Sequence, residues 1–123
     1  MIRLLSLGAA LAMAVPVLAS APSAQFQRGQ AAFVENCAAC HGENGRGGSG
    51  YANPIWGQGA QLAKYRNAAA LFEYHQLMMP FDDPTRITDE LKWDLTLYVL
   101  VRHGTLAEGA ELGAANAASV PIR

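Results

Sequence analysis

Five consecutive residues combine two thiols and an imidazole at a fixed spacing: Cys37, Ala38, Ala39, Cys40 and His41. Each thiol can add across one of the two vinyl groups of a haem and form a thioether bond. Two intervening residues on a helical turn place the sulfur atoms at the separation of those vinyl groups. The adjacent imidazole then lies over the ring and offers a nitrogen to the iron. The motif therefore predicts one covalently attached haem c, with His41 as an axial ligand.

Three other roles for the cysteine pair fit less well. A thioredoxin-like redox pair belongs to a βαβ unit, and no strand is predicted before Cys37. A zinc site needs four ligands, but the chain has no further cysteine, and His75 and His103 lie far apart in sequence. A disulfide between residues three apart would close a very small loop and add little stability.

The second axial ligand decides between electron transfer and substrate chemistry. Met79 is the preferred candidate because it precedes Pro80, which disfavours helical backbone at Met79 and lets the side chain project from a loop. Met78 is predicted to remain in the last helical turn and to pack in the core. A thioether ligand fills the sixth position and raises the reduction potential relative to bis-histidine ligation. This choice favours electron transfer.

Two histidines compete with Met79. His75 could ligate the iron, because bis-histidine ligation is chemically easy, or it could be a polar residue on a helix surface. His103 is predicted at the end of a helix, where it suits the helix dipole and has a structural role. The second ring nitrogen of His41 needs an acceptor, and we expect a backbone carbonyl in the following loop, held stiffly by Pro54.

Helices must position these residues. Capping residues and apolar periodicity predict three of them: about 24–36 after Ser23, about 68–78 after Asn67, and one from residue 89 after Thr88 to a last turn at Arg102 and His103. Residues 42–59 are rich in glycine and predict a loop, and residues 104–123 predict an irregular tail. No strand is predicted. These helices offer too little apolar surface to close a core around so long a loop, which indicates a large flat group at the centre.

The first 21 residues are typical of a secretory signal peptide. Arg3 precedes an apolar run from Leu4 to Leu18, and small residues allow cleavage after Ala21. An uncleaved membrane anchor is the alternative, but the run is shorter than a spanning helix needs. We expect a single mature domain, 22–123, in the periplasm, with no membrane span. The formal net charge is −1, and the absence of a basic run argues against a nucleic-acid partner.

Taken together, these residues resemble the class I cytochrome c family, which carries one haem with His/Met ligation. The resemblance covers the chain from about Phe26 onward. It implies an all-α cytochrome c fold of three to four short helices around one haem. In the family, a glycine and an aromatic residue of the first helix pack against an aromatic residue of the last helix. Gly29, Phe33 and Tyr98 match these positions, and Met79-Pro80-Phe81 matches the ligand loop.

The family resemblance also implies roles for other residues. Trp56, Tyr65 and Arg66 could donate hydrogen bonds to the haem propionates, although simple packing is an equal alternative for Trp56. With Pro54 and Met78 they complete the expected haem pocket. A narrower similarity, carried by Leu71-Phe72-Glu73-Tyr74 and by the ending Val120-Pro121-Ile122-Arg123, is to cytochrome subunits of periplasmic sulfite- or thiosulfate-oxidising dehydrogenases. His75 departs from the apolar residue expected at its position.

The predicted function is one-electron transfer rather than catalysis. The resemblance implies that a dehydrogenase subunit donates electrons, which pass to the respiratory chain through a terminal oxidase or another cytochrome. The alternative functions are a haem-based sensor and a peroxidase-like subunit. Both require a vacant or labile sixth ligand, and only His75 offers a candidate acid or base near the ligand loop.

Overall fold

The computed structural model describes residues 12–14 and 21–123, so most of the predicted signal peptide lies outside the described residues. The described part contains four α-helices: α1 Ala24–Asn36, α2 Ala38–His41, α3 Ala68–Met78 and α4 Asp89–Arg102. Short 3₁₀ helices lie at Leu62–Tyr65 and Ala117–Ser119. The same residues contain no strand, only an antiparallel bridge between Asn67 and Pro121. The predicted all-α class is confirmed.

The capping residues fold as the sequence predicts. Ser23 accepts a hydrogen bond from the Phe26 amide at 3.0 Å, and Asn67 accepts one from the Ala70 amide at 3.0 Å. The Thr88 hydroxyl caps α4 in the same way. Each cap satisfies an amide that has no partner within its helix. The bounds predicted for α1, α3 and α4 are therefore confirmed.

The crossing of α1 and α4 is the centre of the core. The Phe33 ring lies 5.5 Å from the Tyr98 ring, and both side chains are buried. At Gly29 a β-carbon would lie 2.9 Å from the Tyr98 Cβ and would also run into the Asp94 carbonyl. Only glycine allows the two backbones to come this close. The packing that the family resemblance implies for these residues is present.

The C-terminal segment 104–123 has little regular structure, as predicted, but it is firmly attached to the domain. The Gln25 side chain exchanges two hydrogen bonds with the Leu112 backbone, at 2.8 and 2.7 Å. The Ile122 amide donates to the Arg66 carbonyl at 2.7 Å. Leu112 and Ile122 are buried. The segment thus covers the start of α1 and the start of α3. Within residues 12–14 and 21–123, no helix has the length and apolar character to cross a membrane.

Candidate functional site

The motif of two cysteines and a histidine occupies its own short helix. Helix α1 breaks at Cys37, whose backbone leaves the helical region, and α2 then carries Cys40 and His41. The two thiols are not joined in a disulfide. Burial raises the pKa of the Cys37 thiol to about 11. A redox-active cysteine has a lowered pKa, so this environment argues against a thioredoxin-like function.

The glycine-rich loop wraps closely around α2. The amides of Gly50 and Tyr51 both donate to the Cys40 carbonyl, at 3.2 and 3.1 Å. A β-carbon on Gly50 would lie only 2.6 Å from the Cys40 Sγ. Glycine at this position therefore lets the loop lie against the cysteine. The prediction that residues 42–59 form a loop is confirmed.

A crevice opens beside α2. It consists of two cavities of about 350 and 360 Å³, a size usual for ligand and cofactor sites. The residues that line both cavities form what we call the waist of the crevice: Cys40, His41, Ile55, His75, Met79, Phe81 and Val99. The waist brings His41 from the motif together with His75 and Met79 from the end of α3.

His41 is partly buried at the waist. Burial lowers its pKa, which favours the neutral imidazole that a metal requires. Its Nδ1 is buried and has no hydrogen-bond partner among the described residues. The expectation that a loop carbonyl near Pro54 would accept from this atom is therefore wrong. The His41 ring instead packs edge-on against Tyr51, with ring centroids 5.4 Å apart. Pro54 lines one of the two cavities.

Met79 and Met78 lie in different environments. Met79 has extended backbone, with φ −126° and ψ 138°, so it leaves α3 as its position before Pro80 predicts. Its side chain lines both cavities. Met78 is 42% exposed and lines neither cavity. The prediction that Met78 packs in the core is wrong, because this last residue of α3 is exposed to solvent. Its place in the haem pocket stays a prediction.

His75 lies one helical turn before Met79 and also lines both cavities. Its Nδ1 is 2.8 Å from the hydroxyl of Thr96, a fully buried residue of α4. Burial, with smaller contributions from His41 and Lys92, lowers the pKa of His75 to about 4. The imidazole is therefore neutral at physiological pH. His75 is a residue of the crevice rather than of the helix surface.

Lys92 holds the segment that follows Met79. Although only 2% exposed, it donates through Nζ to the Gln76 carbonyl at 2.8 Å and to the Pro84 carbonyl. These bonds join α4 to the last turn of α3 and to the segment that follows Met79. The sequence reasoning did not find Lys92 or Thr96. The sequence did hold a signal for them: both are polar, they lie four residues apart, and such residues share one face of a helix that is otherwise mostly apolar.

The remaining predicted pocket residues separate into two groups. Tyr65 lines one cavity, and burial, with the neighbouring Tyr74, raises its pKa to about 12. Trp56 is not on the crevice: it is 3% exposed and packs 4.9 Å from the Phe33 ring. Arg66 is exposed, and its backbone carbonyl pairs with the C-terminal segment. For Trp56 the structure shows the packing alternative, and the contact of Trp56 and Arg66 with haem propionates stays a prediction.

These residues fit a covalently held haem. Cys37 and Cys40 both line the crevice, so a group attached to them would enter it. The His41 Nδ1 is buried without a partner among the described residues, which is rare for a buried polar atom. The other ring nitrogen of His41 could coordinate a haem iron. Imidazole nitrogen and thioether sulfur are both established haem ligands.

A family comparison decides the class of protein. The family described as cytochrome c oxidase, cbb3-type, subunit III matches residues 24–99, which is more than half of the chain. The chain belongs to this family of c-type cytochromes. Electron transfer is the general role of the family. The match ends just before the last residues of α4, so the C-terminal segment of this cytochrome lies outside it. No curated protein matches the chain.

Two solved structures are similar to this cytochrome. The sulfane dehydrogenase SoxCD from Paracoccus pantotrophus has a TM-score of 0.65 and 20% identity, over 92% of this chain and 68% of that chain. The thiosulfate dehydrogenase TsdBA from Marichromatium purpuratum has a TM-score of 0.50 and 28% identity, over 67% of this chain and 19% of that chain. The first likeness shows the fold alone. Both names are those of sulfur-compound dehydrogenases, in agreement with the narrower resemblance found in the sequence.

Proposed function

We propose that this cytochrome is an exported one-electron carrier with a single haem c. Cys37 and Cys40 attach the haem, and His41 and Met79 ligate its iron. The observation that carries the proposal is the waist of the crevice, where the His41 and Met79 side chains approach from separate elements. The sequence contains two cysteines, enough for one such attachment. A haem bound there would supply a reversible iron(III)/iron(II) couple.

The lining of the crevice suits electron transfer. Ile55 and Val99 line the waist beside the ligands and would give a haem apolar surface to pack against. A Met79 thioether bound to the iron would stabilise its reduced state. Together, His41 and Met79 would leave oxygen and peroxide no vacant site. The chain then binds and orients a redox centre but makes or breaks no bond in a substrate.

The chain exposes three apolar side chains at and just after the end of α3, which we call the apolar patch, and these support contact with redox partners. Leu77, Met78 and Phe81 are 62%, 42% and 78% exposed, and Phe81 also lines the crevice. Methionine and aromatic side chains are enriched at protein interfaces. A contact at this patch would bring a partner close to the haem site. Electron-transfer contacts of this kind are usually small and transient.

The electron donor that we propose is a dehydrogenase of the sulfite- or thiosulfate-oxidising type. The names of the two similar structures support this choice. Electrons would pass on to the respiratory chain through a terminal oxidase or another cytochrome. Co-purification of the chain with a dehydrogenase from its native cells would identify the donor. A free carrier would dissociate during purification, whereas a permanent subunit would remain bound.

The periplasm is the proposed location. The apolar run from Leu4 to Leu18 and the small residues before Ala21 are typical of an export signal. Attachment of haem to paired thiols takes place on exported chains, so the motif and the signal support the same compartment. The mass of the mature protein tests this directly, since cleavage after Ala21 leaves a chain that begins at Pro22.

The two methionines provide the test of axial ligation. Oxidised cytochromes with a methionine ligand show a far-red sulfur-to-iron charge-transfer band. We expect this band in the wild type, its loss in Met79→Ala, and its survival in the matched control Met78→Ala. Met78 is the suitable control because it is chemically identical and adjacent but exposed.

Other results would contradict specific parts of the proposal. A wild type without the band would rule out methionine ligation. Loss of the band only in Met78→Ala would show that Met78, and not Met79, is the axial ligand. Rapid binding of carbon monoxide to the reduced wild type would indicate an open iron, and would favour the sensor or peroxidase-like alternatives.

A further inference from the structure

His75 lines the crevice but has no role in the proposed function. It lies at the waist of the crevice with Met79, on the last turns of α3. Polar side chains are rarely buried beside an apolar cofactor site unless they are bonded. Its hydrogen bonds show which of its two ring nitrogens carries the proton.

The hydroxyl of Thr96 determines the tautomer of His75. Thr96 Oγ1 lies 2.7 Å from the Lys92 carbonyl, and a carbonyl can only accept, so the single hydroxyl proton points to Lys92. Thr96 must then accept from the His75 Nδ1, which lies 2.8 Å away. In a neutral imidazole with the proton on Nδ1, the lone pair is on Nε2.

The lone pair of His75 lies on the side of the ring that faces the crevice. Thr96 holds the Nδ1 edge and lines neither cavity, whereas His75 lines both. His103 lies outside the crevice, and its Nδ1 accepts a hydrogen bond where that of His75 donates one. Its Nδ1 accepts from the Gly57 amide at 3.0 Å, and its Nε2 pairs with the Arg123 carbonyl at 3.0 Å. Both nitrogens of His103 are therefore occupied, and it serves as a matched control.

We propose that His75 is a reserve axial ligand, whose Nε2 binds the haem iron when the thioether of Met79 is absent or oxidised. The inference rests on the proposed haem site and adds a second ligand to it. One iron–sulfur bond breaks and one iron–nitrogen bond forms. No proton moves, because Nδ1 keeps its hydrogen bond to Thr96, and no electron is required.

The exchange would keep the site closed. Loss of a methionine ligand ordinarily leaves a vacant position at which oxygen or peroxide can react. Methionine is also readily oxidised to its sulfoxide, which no longer offers a thioether. His75 would fill that position and prevent peroxidase-like chemistry. It would also lower the reduction potential, because two imidazoles stabilise oxidised iron relative to His/Met ligation.

Three variants of the haem-loaded protein test the proposal. We expect Met79→Ala to lose the sulfur-to-iron band but to remain low-spin, with the electron paramagnetic resonance spectrum of two imidazoles. The double variant Met79→Ala/His75→Leu should become high-spin and bind carbon monoxide rapidly when reduced. Met79→Ala/His103→Leu should keep the two-imidazole spectrum. Leucine has a volume close to that of histidine, and circular dichroism checks that each variant is folded.

Thr96 provides a second test that leaves His41 and His75 in place. In the Met79→Ala background, Thr96→Val removes the acceptor that orients His75 but keeps the shape of the side chain. The low-spin fraction should fall. Thr96→Ser retains the hydroxyl and should restore it. A purely structural role of Thr96 in packing would not distinguish the hydroxyl from the methyl group in this spectrum.

The outcomes separate this inference from the proposed function. A wild type with the sulfur band and a high-spin Met79→Ala would overturn the reserve role of His75 and leave His/Met ligation intact. A low-spin spectrum that survives His75→Leu in the double variant would also overturn it. A wild type that already shows two imidazoles, lost in His75→Leu alone, would overturn both, since His75 would then be the resident ligand.

Discussion

The two walls of the crevice are built in different ways. The His41 wall consists of α2 and the glycine-rich loop 42–59, and its three proposed haem-binding residues lie within five consecutive positions of the sequence. The Met79 wall consists of the end of α3 and the segment 79–88, and it depends on α4 for support. Lys92 and Thr96 of α4 hold the Gln76 carbonyl and the His75 ring in place.

The two walls therefore differ in what holds their haem-binding residues in position. On the His41 wall, the thioether bonds that we propose would position the haem, and the loop would only have to fold over it. On the Met79 wall, hydrogen bonds and helix packing would have to hold the proposed ligand in place. The reserve ligand that we propose belongs to the Met79 wall, because this is the wall whose ligand can dissociate.

The largest expected effect is on the His41 wall. Cys37→Ser/Cys40→Ser should abolish covalent haem attachment, and the crevice would then lack the group that fills it. A domain of this size depends strongly on a cofactor for its stability. The measurement is haem staining after denaturing electrophoresis, together with circular dichroism of the same sample.

The control for that variant is Ala39→Ser, which changes an exposed residue between the two cysteines. It should retain the haem stain and the helical spectrum. Retention of covalent haem in the double serine variant would contradict attachment through these thiols.

The second-largest effect is expected at the crossing of α1 and α4, which connects the two walls. Gly29→Ala should destabilise the haem-loaded protein by about 2 kcal/mol or more, because overpacking against backbone exceeds the small gain in helix propensity. The added methyl group would press on the Asp94 carbonyl and the Tyr98 side chain of α4. The free energy of unfolding in guanidinium chloride measures the effect.

Gly113→Ala is the matched control, since a β-carbon at Gly113 meets nothing within 4 Å. Its effect should lie within about 0.5 kcal/mol. Equal destabilisation by the two substitutions would show that the crossing of α1 and α4 is not closely packed at Gly29.

The smallest effect concerns the turn in the Met79 wall. The Asp83 carboxylate accepts from the Thr85 hydroxyl at 2.6 Å and from its amide at 3.0 Å, and these bonds hold the pKa of Asp83 below its usual value. A lowered folded-state pKa stabilises the turn above the unfolded pKa, and this contribution is lost as the pH falls through the folded value. Thr85→Val should raise the pKa of Asp83 in an NMR titration.

Thr85→Val should also change how the free energy of unfolding depends on pH. Wild type and Thr85→Val should differ in stability near pH 7 and converge at acidic pH, where Asp83 is protonated in both states. In an Asp83→Asn background, Thr85→Val should lose this pH-dependent difference. A difference that grows as the pH falls would contradict the direction of the Asp83 shift.

Several features of this protein could be predicted from the sequence because they depend on interactions between residues close together in the chain. Caps at Ser23, Asn67 and Thr88 determine where three helices begin, because each acts on amides within the next turn. Pro80 acts on the residue directly before it, so the extended backbone of Met79 was also predictable. The spacing of Cys37, Cys40 and His41 is a local feature of the same kind.

Only the tertiary structure decided which side chains face the crevice. Trp56 lies against Phe33 and Tyr98 instead of the haem site, and Met78 faces solvent, because helix packing rather than local preference sets their directions. The tautomer of His75 depends on Thr96, 21 residues away in sequence. Contacts of this kind arise from packing between helices, which no short stretch of sequence specifies. The sequence alone thus determined the attachment motif and the helices, and the fold decided what surrounds the iron.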